Sequence, residues 1–515
     1  MPNPAHHADV IIVGAGVAGL RAAHQLISAG VTVRVLEAAP HVGGRMATEE
    51  VDGFRLDRIG QVLSTAYPEL LRTPGLEALA LRPFAPGVLV HGEGRHYRAG
   101  EVGAARDGSR GTVRGGALSG ARNGALTGAR SGARSARGAL SAARALASAP
   151  RGSARTAAPS RAATAPRADA PPLAGPTPVP GTPLPGGPAT DAAPLRIRPL
   201  GGPLEQARLA AALSRFAATP VERLLARSEL PALDALAGRG LPSRTVDGFL
   251  RPLLAALLSD PGLTTSSRCA DLALRGFARG RLCLPEGGAG TLPELLAATL
   301  PPGTVRTGVH VTGASISSVT TEEDGELGCR SLLVATGARA AADLLPGLRV
   351  PGFHPVTVLH HTAAPGSAPA TGSALVLDAD RGGPVSHSAV VSAVDPTRAP
   401  GGRVLISSTV LGLPVTPPGL DADVRSHLAR LHGTPTDDWE LLAVHHDPEA
   451  VPAMPAPHDV HRPVRLLSGL YVCGDHRGTS TVQGALHSGR RAALEILRDF
   501  GIRPGYAAEE LREAA

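Results

Sequence analysis

The sequence predicts an α/β fold: a parallel sheet assembled from discontinuous segments, an α+β second domain and a long disordered insert. Three observations carry this. Residues 9–100 alternate apolar, strand-like runs with helical patterns. From Glu101 to Ala193 the composition falls to little more than Ala, Gly, Arg, Ser, Thr and Pro. Order returns near Leu195, and the chain closes with a strand, GLYVCGD, and a helix, VQGALHSGRRAALEIL. At 515 residues the chain has room for two or three sizeable cores.

The first fifty residues form a βαβ unit. A buried strand, Val10 to Val13, runs into GxGxxG as Gly14, Gly16 and Gly19, and a helix comes after it with Ala22, Ala23 and Leu26 on one face. A second strand, VTVRVLE, ends in Glu37. Each residue type has a task in such a unit. Gly14 permits the tight turn, Gly16 lets the backbone approach a pyrophosphate, and Gly19 lets helix and strand pack closely. The helix N-terminus offers free N–H groups and a positive dipole to phosphates. Glu37 can accept hydrogen bonds from ribose hydroxyls. The unit is therefore Rossmann-like and binds a dinucleotide.

The insert comes next. Part of it repeats with period eight: GALSGARN from Gly116, GALTGARS from Gly124, and a degraded GARSARGA from Gly132. It lacks the large apolar residues that offset chain entropy, so disorder is expected. Residues 101–170 hold 12 Arg against Glu101, Asp107 and Asp169, which exceeds the net charge of +7 of the whole chain. The basicity thus belongs to the insert. The remainder gives no reason to expect nucleic-acid binding, while the insert offers peripheral contact with an anionic membrane.

Beyond it, PLEQARLAAALSRF from Pro203 has helical periodicity, and helical patterns continue to about Leu258. LPEGGAGTLPELLAATL from Leu284 is a Gly-rich turn feeding a helix. Strand patterns then run through TVRTGVHVTGASI and CRSLLVATG. Short β-like runs fill His354 to Val410, and DADVRSHLARLHG is an amphipathic helix that Asp421 is expected to cap. The four cysteines form no CxxC pair and show no metal-ligand spacing, so no metal is expected and a reducing, cytosolic compartment fits. No run of about 18 apolar residues exists to span a membrane.

FAD rather than NAD is indicated by the residues directly after Glu37. In EAAPHVGGRMAT, Gly43, Gly44 and Arg45 add backbone donors and a cation near the pyrophosphate. This arrangement resembles the flavin-containing amine oxidoreductase superfamily, which includes amine oxidases, protoporphyrinogen oxidase and carotenoid desaturases. The resemblance extends over nearly the whole chain outside the insert. It implies that Gly60 and Gln61, in DGFRLDRIGQVL, lie near the isoalloxazine ring. Ala289 stands where the family's P-x-GG-M segment usually has Met. Val311 matches the position whose backbone contacts adenine. Gly474 and Asp475 match the C-terminal flavin motif, and Val482 and Gln483 begin a helix, capped by Ser480 or Thr481, that faces the flavin. The resemblance divides the chain into an FAD-binding domain (8–75, 284–345 and 455–500), a substrate domain (76–100, 195–283 and 346–454) and the insert (101–194).

The shared chemistry of that family is hydride transfer from a substrate C–H bond to flavin N5, with the electrons passing on to oxygen, a quinone or another carrier. Many of its amine oxidases use a lysine at N5, and this chain has no lysine. Nor does it carry the Ser-Gly-Gly-Cys type of motif for covalent attachment, so noncovalent FAD is expected. An apolar substrate of the desaturase or oxidase type is therefore favoured, and the apolar helices within 203–258 either line its pocket or form a helical core of their own. Amine oxidation and a silent binding role on the same fold are the alternatives. Tyr67 and Tyr97 are candidates to approach substrate, and His476 and Arg477 to touch substrate or flavin. His360–His361 and His445–His446 read as surface or strand-edge residues. No catalytic residue beyond the flavin is assigned.

Overall fold

The computed structural model describes residues 8–101 and 195–502. The expectation of disorder falls on residues outside that range, apart from Glu101.

Five parallel strands form the centre of the first sheet, in the order Val305–Thr307, β2 (Val33–Glu37), β1 (Ala8–Val13), Gly325–Val334 and Leu470–Val472. Ile11 of β1 pairs with Leu332, and Leu333 pairs with Tyr471. The two central strands, β1 and the end of Gly325–Val334, are buried and apolar on both faces, as a sheet covered on both sides requires. Helix α1 (Val17–Ser28) and the C-terminal helix Val482–Asp499 lie against it. These two helices meet at the backbone: a Cβ on Gly489 would stand 2.1 Å from the Ala18 carbonyl oxygen. The sheet thus gathers strands from three separate stretches of chain.

The second sheet has eight strands, in the order Glu440–Pro452, Phe353–Ala363, Val404–Leu411, Val385–Val390, Leu375–Asp378, Val88–Gly92, Arg95–Ala99 and Ile197–Pro199. It is antiparallel except where Leu375–Asp378 meets Val88–Gly92 and where Arg95–Ala99 meets Ile197–Pro199. Helices between Pro203 and Arg279 pack beside it through Leu213, Phe249, Leu253 and Leu274. No helix among the described residues is long and apolar enough to cross a membrane.

Three expectations need correction. The helix Leu420–His432 is entered through Gly419 in a left-handed conformation, φ 79°, and not capped by Asp421. Asp421 instead bonds His361 Nε2 at 2.8 Å and Arg425. His360 and His361 are not surface residues: they lie in an interior strand, 1% and 0% exposed. His360 is satisfied by Ser407 and the Asp57 carbonyl, whereas His361 meets Asp421 through Nε2 and its Nδ1 has no hydrogen-bond partner. Only His445 and His446 sit on the sheet's edge strand, as expected. Finally, Tyr97 is buried in the second sheet, its ring beneath the Arg244 guanidinium.

Candidate active site

The glycines of the first turn divide their work by geometry. Gly14 adopts φ +105°, and a Cβ there would sit 3.0 Å from the Ala335 carbonyl oxygen. A Cβ on Gly19 would fall 2.2 Å from the Gly14 carbonyl oxygen, which is too close for any side chain. Gly16 faces open space, with nothing within 4 Å of a Cβ. It opens α1, whose first turn has neither a side-chain cap nor an acidic residue, so its N–H groups remain free for an anion. The half-buried Glu37 accepts the Ala15 N–H at 2.7 Å and the Ala39 N–H at 3.0 Å. Each oxygen keeps capacity for a hydroxyl donor.

These residues border a cleft of about 940 Å³. Gly14, Gly16, Glu37, Gly44, Arg45, Gly60, Gln61, Val311, Asp475 and Val482 all line it. Gly19, Gly474 and Gln483 do not. Gly19 packs helix on strand. Gly474, at φ +141°, donates its N–H to Ser488 and leaves no room for a Cβ beside the His476 ring, 2.7 Å away. The Gln483 side chain accepts the Glu69 N–H at 2.9 Å on the opposite side of its helix.

Arg45 and Asp475 come from opposite ends of the chain and meet at 2.7 Å, with the Arg45 Nη1 also donating to the Ala450 carbonyl. Burial alone would lower the guanidinium pKa, but Asp475 holds it above the ordinary value. A fixed cation therefore stands in the cleft wall. Both residues are visible as sequence motifs, while their pairing is not. The loop after Gly325–Val334 also lines the cleft with Thr336, Gly337 and Ala338, and so do Ala450 to Pro452. Sequence alone assigned these no role, although the small residues of ATGARAA directly after a strand were an available signal.

Beneath this lies a sealed charge pair. Arg398 Nη1 bonds Asp57 Oδ2 at 3.1 Å, and Asp57 Oδ1 accepts from Thr48 and from the Ala289 N–H. Asp57 thereby fixes the turn that places Ala289 in the cleft wall. Gly60 adopts φ +61° and faces Val358 of the second sheet.

The C-terminal helix separates the cleft from a second space. Thr481 caps it, accepting the Gly484 N–H at 3.1 Å, while the Ser480 hydroxyl donates to the Pro452 carbonyl. Val482 and Ala485 face the cleft; Gln483, Gly484 and His487 face an apolar cavity of about 110 Å³. Thr481 borders both. The cavity's walls are chiefly Leu272, Ala273 and Phe277 of the helix Ser267–Arg279, with Leu257, Leu258 and Leu282. The expected contribution from 203–258 reduces to Val221, Leu257 and Leu258; the rest of those helices form core. Tyr67 lines the cavity, its phenol pushed up to about 12 by burial. Burial likewise pushes the Cys269 thiol up to about 12. His476 borders neither space: it is buried with both ring nitrogens unpartnered and its pKa lowered by burial to about 4. Arg477 donates to the Pro463 carbonyl.

The donor set fits FAD. Open space above Gly16, free N–H groups on two helix starts, the Glu37 carboxylate and the Arg45 cation complement a ribose and a pyrophosphate. None of the four cysteines lines the cleft. Fold and site together define an FAD-dependent oxidoreductase. The chain belongs to the flavin containing amine oxidoreductase family, whose model matches residues 17–497. Putrescine oxidase from Kocuria rosea is 54% identical over 63 residues, 12% of this chain and 13% of that enzyme. Carotenoid 3,4-desaturase from Haloarcula japonica is 51% identical over 49 residues, 10% of each chain. Coproporphyrinogen III oxidase from Propionibacterium freudenreichii is 33% identical over 87 residues, 17% of this chain and 16% of that enzyme. These matches therefore span under a fifth of each relative. Among solved structures, putrescine oxidase bound to putrescine superposes with a TM-score of 0.56 at 16% identity, covering 95% of this chain and 99% of that one. Reduced UDP-galactopyranose mutase gives 0.59 at 12%, covering 99% of both. At such identities the likeness is one of fold.

Proposed function

We propose that this protein oxidises a C–H bond of an apolar substrate, in the manner of a desaturase or oxidase. The observation that carries the reading is the cavity that meets the cleft at Thr481: among the described residues no carboxylate lines it, and the one permanent charge there is the Arg275 cation. A diammonium substrate would lose its hydration there and gain no counter-charge. An apolar group loses nothing and fills the space between Leu257, Leu272 and Phe277.

Bound FAD supplies the hydride acceptor. The chain's own contribution is placement, dryness and a proton acceptor. Burial keeps Tyr67 protonated at neutral pH, and burial with the Arg491 charge lowers the His461 pKa so that its imidazole is neutral. Hydride removal leaves a carbocation that must shed a neighbouring C–H proton, and the neutral His461 imidazole on the cavity wall is the proton acceptor the chain supplies there. The size also decides something. An engineered cavity of about 150 Å³ admits benzene, so 110 Å³ holds one small apolar group, the reacting end of a longer molecule. Electrons then leave to oxygen, a quinone or another carrier.

A turnover screen of polyprenoids, porphyrinogens and amines tests this, with Ala273→Phe as a cavity-filling variant. The expected result is turnover of an apolar compound that the variant loses while keeping its flavin absorbance. Turnover confined to amines would overturn the reading.

A further inference from the structure

We propose that the second sheet carries a divalent transition-metal site, built by the His91 imidazole with the Asp378 and Asp380 carboxylates. None of the three lines the flavin cleft or the apolar cavity. No metal was expected from the cysteine spacing, and these ligands come together only through the fold.

The parallel register makes the site. His91 of Val88–Gly92 is the partner of Asp378, the last residue of Leu375–Asp378. Partners in a parallel ladder project from the same face. The chain then turns sharply: Asp378 Oδ1 accepts the Asp380 N–H at 3.0 Å and Oδ2 accepts the Gly382 N–H at 2.9 Å, with Arg381 at φ +53° between them. This turn brings Asp380 back to His91. One ligand atom from each of the three residues lies within 4.8 Å of the others, and His91 Nδ1 stands 3.9 Å from Asp380 Oδ2.

The second observation is the state of His91. Its side chain is nine-tenths buried, yet Nδ1 has no hydrogen-bond partner, and the residue borders a cavity of about 360 Å³. Buried ring nitrogens are ordinarily satisfied. A metal ion in that space supplies what Nδ1 lacks.

The surroundings orient the carboxylates. His427 Nδ1 accepts the Val385 N–H at 3.2 Å, so its Nε2 carries the proton and points it at Asp378 Oδ2, 3.3 Å away. Hydrogen-bonded carboxylates of this kind are typical of metal surroundings. Asp380 Oδ1 accepts the Glu93 N–H, which leaves Oδ2 for the metal. Arg430, on the rim, donates to the Gly382 and Ser426 carbonyls, and no ion pair among the described residues ties it to either carboxylate.

One imidazole nitrogen and two carboxylates, completed by water, suit Zn²⁺ and its neighbours; the nitrogen donor disfavours Mg²⁺ and Ca²⁺. Zinc–ligand bonds of about 2.0–2.2 Å require the three groups to draw closer. Asp380, exposed on its turn, has the freedom to do so. Bound metal would clip the strand Val88–Gly92 to the turn 378–382.

The flavin-loaded protein, stripped with chelator and dialysed, is titrated calorimetrically with Zn²⁺ beside Asp380→Asn and His91→Asn. Because the chain has 19 histidines, the difference between proteins is the readout. The expected result is one Zn²⁺ equivalent in the parent that both variants bind about tenfold or more weakly, with Mg²⁺ failing to compete and flavin absorbance unchanged. Should His91→Asn not fold, the exposed Asp380→Asn decides alone. Equal zinc stoichiometry and affinity in parent and variants would overturn the proposal, and so would equal competition by Mg²⁺.

Discussion

Asp57 is 5% exposed and still ionised. Burial alone would raise its pKa; Arg398, the Ala289 N–H and the Thr48 hydroxyl outweigh that and hold the carboxyl below the ordinary value. Removing one partner of a buried pair leaves the other charge uncompensated, so Asp57→Asn should cost about 3–5 kcal/mol in denaturant unfolding of the flavin-loaded protein. The sign of its pH dependence comes from linkage. A depressed carboxyl pKa gives stability that is present above the unfolded value of about 3.9 and lost as pH falls through the folded value. The gap between parent and variant should therefore stay constant near neutrality and close in strong acid. A gap that does not change with pH would show that the charge contributes nothing. Glu37 makes the second residue-scale case. Its oxygens hold the Ala15 and Ala39 N–H groups as well as facing the cleft. Glu37→Ala should weaken FAD binding by about 1.5–3 kcal/mol, measured by flavin titration of the apoprotein.

At the scale of elements, the C-terminal helix serves both spaces through one cap. Thr481→Ala removes the acceptor for the Gly484 N–H and should cost about 1 kcal/mol of stability, with Thr481→Ser restoring most of it. Equal stability of the three proteins in denaturant would mean the cap is replaced by solvent. The same helix shows what was legible in the sequence. The glycine turn, Glu37 and the Asp475 segment are local signals, each a fixed spacing within one strand–turn–helix. They could be read because neighbouring residues dictate the geometry. Gln483 could be placed on that helix but not on a face, because facing depends on what packs against it. Arg398 offered no signal at all: it ends a one-turn 3-10 helix, Pro396–Arg398, and its partner Asp57 is brought to it only by tertiary structure. For the cavity, periodicity marked 203–258 as amphipathic, and the apolar face went to core; the helix Ser267–Arg279 supplied most of the wall. The pair His360–His361 misled through polarity, since two histidines suggested an edge where the fold supplies buried acceptors.

Across the whole molecule, buried neutral histidines set the acid limit. Burial lowers His360 and His432 to about 3 and His387 and His476 to about 4. In the unfolded chain each takes a proton near pH 6.5, whereas the folded protein refuses it until much lower pH. Between those values the unfolded state binds more protons, so stability falls as pH falls, by about 1.4 kcal/mol per pH unit for each histidine involved. Thermal unfolding should thus drop steeply from pH 6.5 towards 4, and an even stability across that range would contradict the burial of these rings.

The central question is which molecule gives its electrons to the flavin. The direct measurement is anaerobic mixing of the purified protein with a polyprenoid, a porphyrinogen and putrescine in turn, monitoring the oxidised flavin absorbance. Single-turnover bleaching needs no knowledge of the electron acceptor and isolates the step that the apolar cavity is proposed to serve. The predicted result is bleaching by an apolar compound and none by putrescine; bleaching by putrescine alone would contradict it.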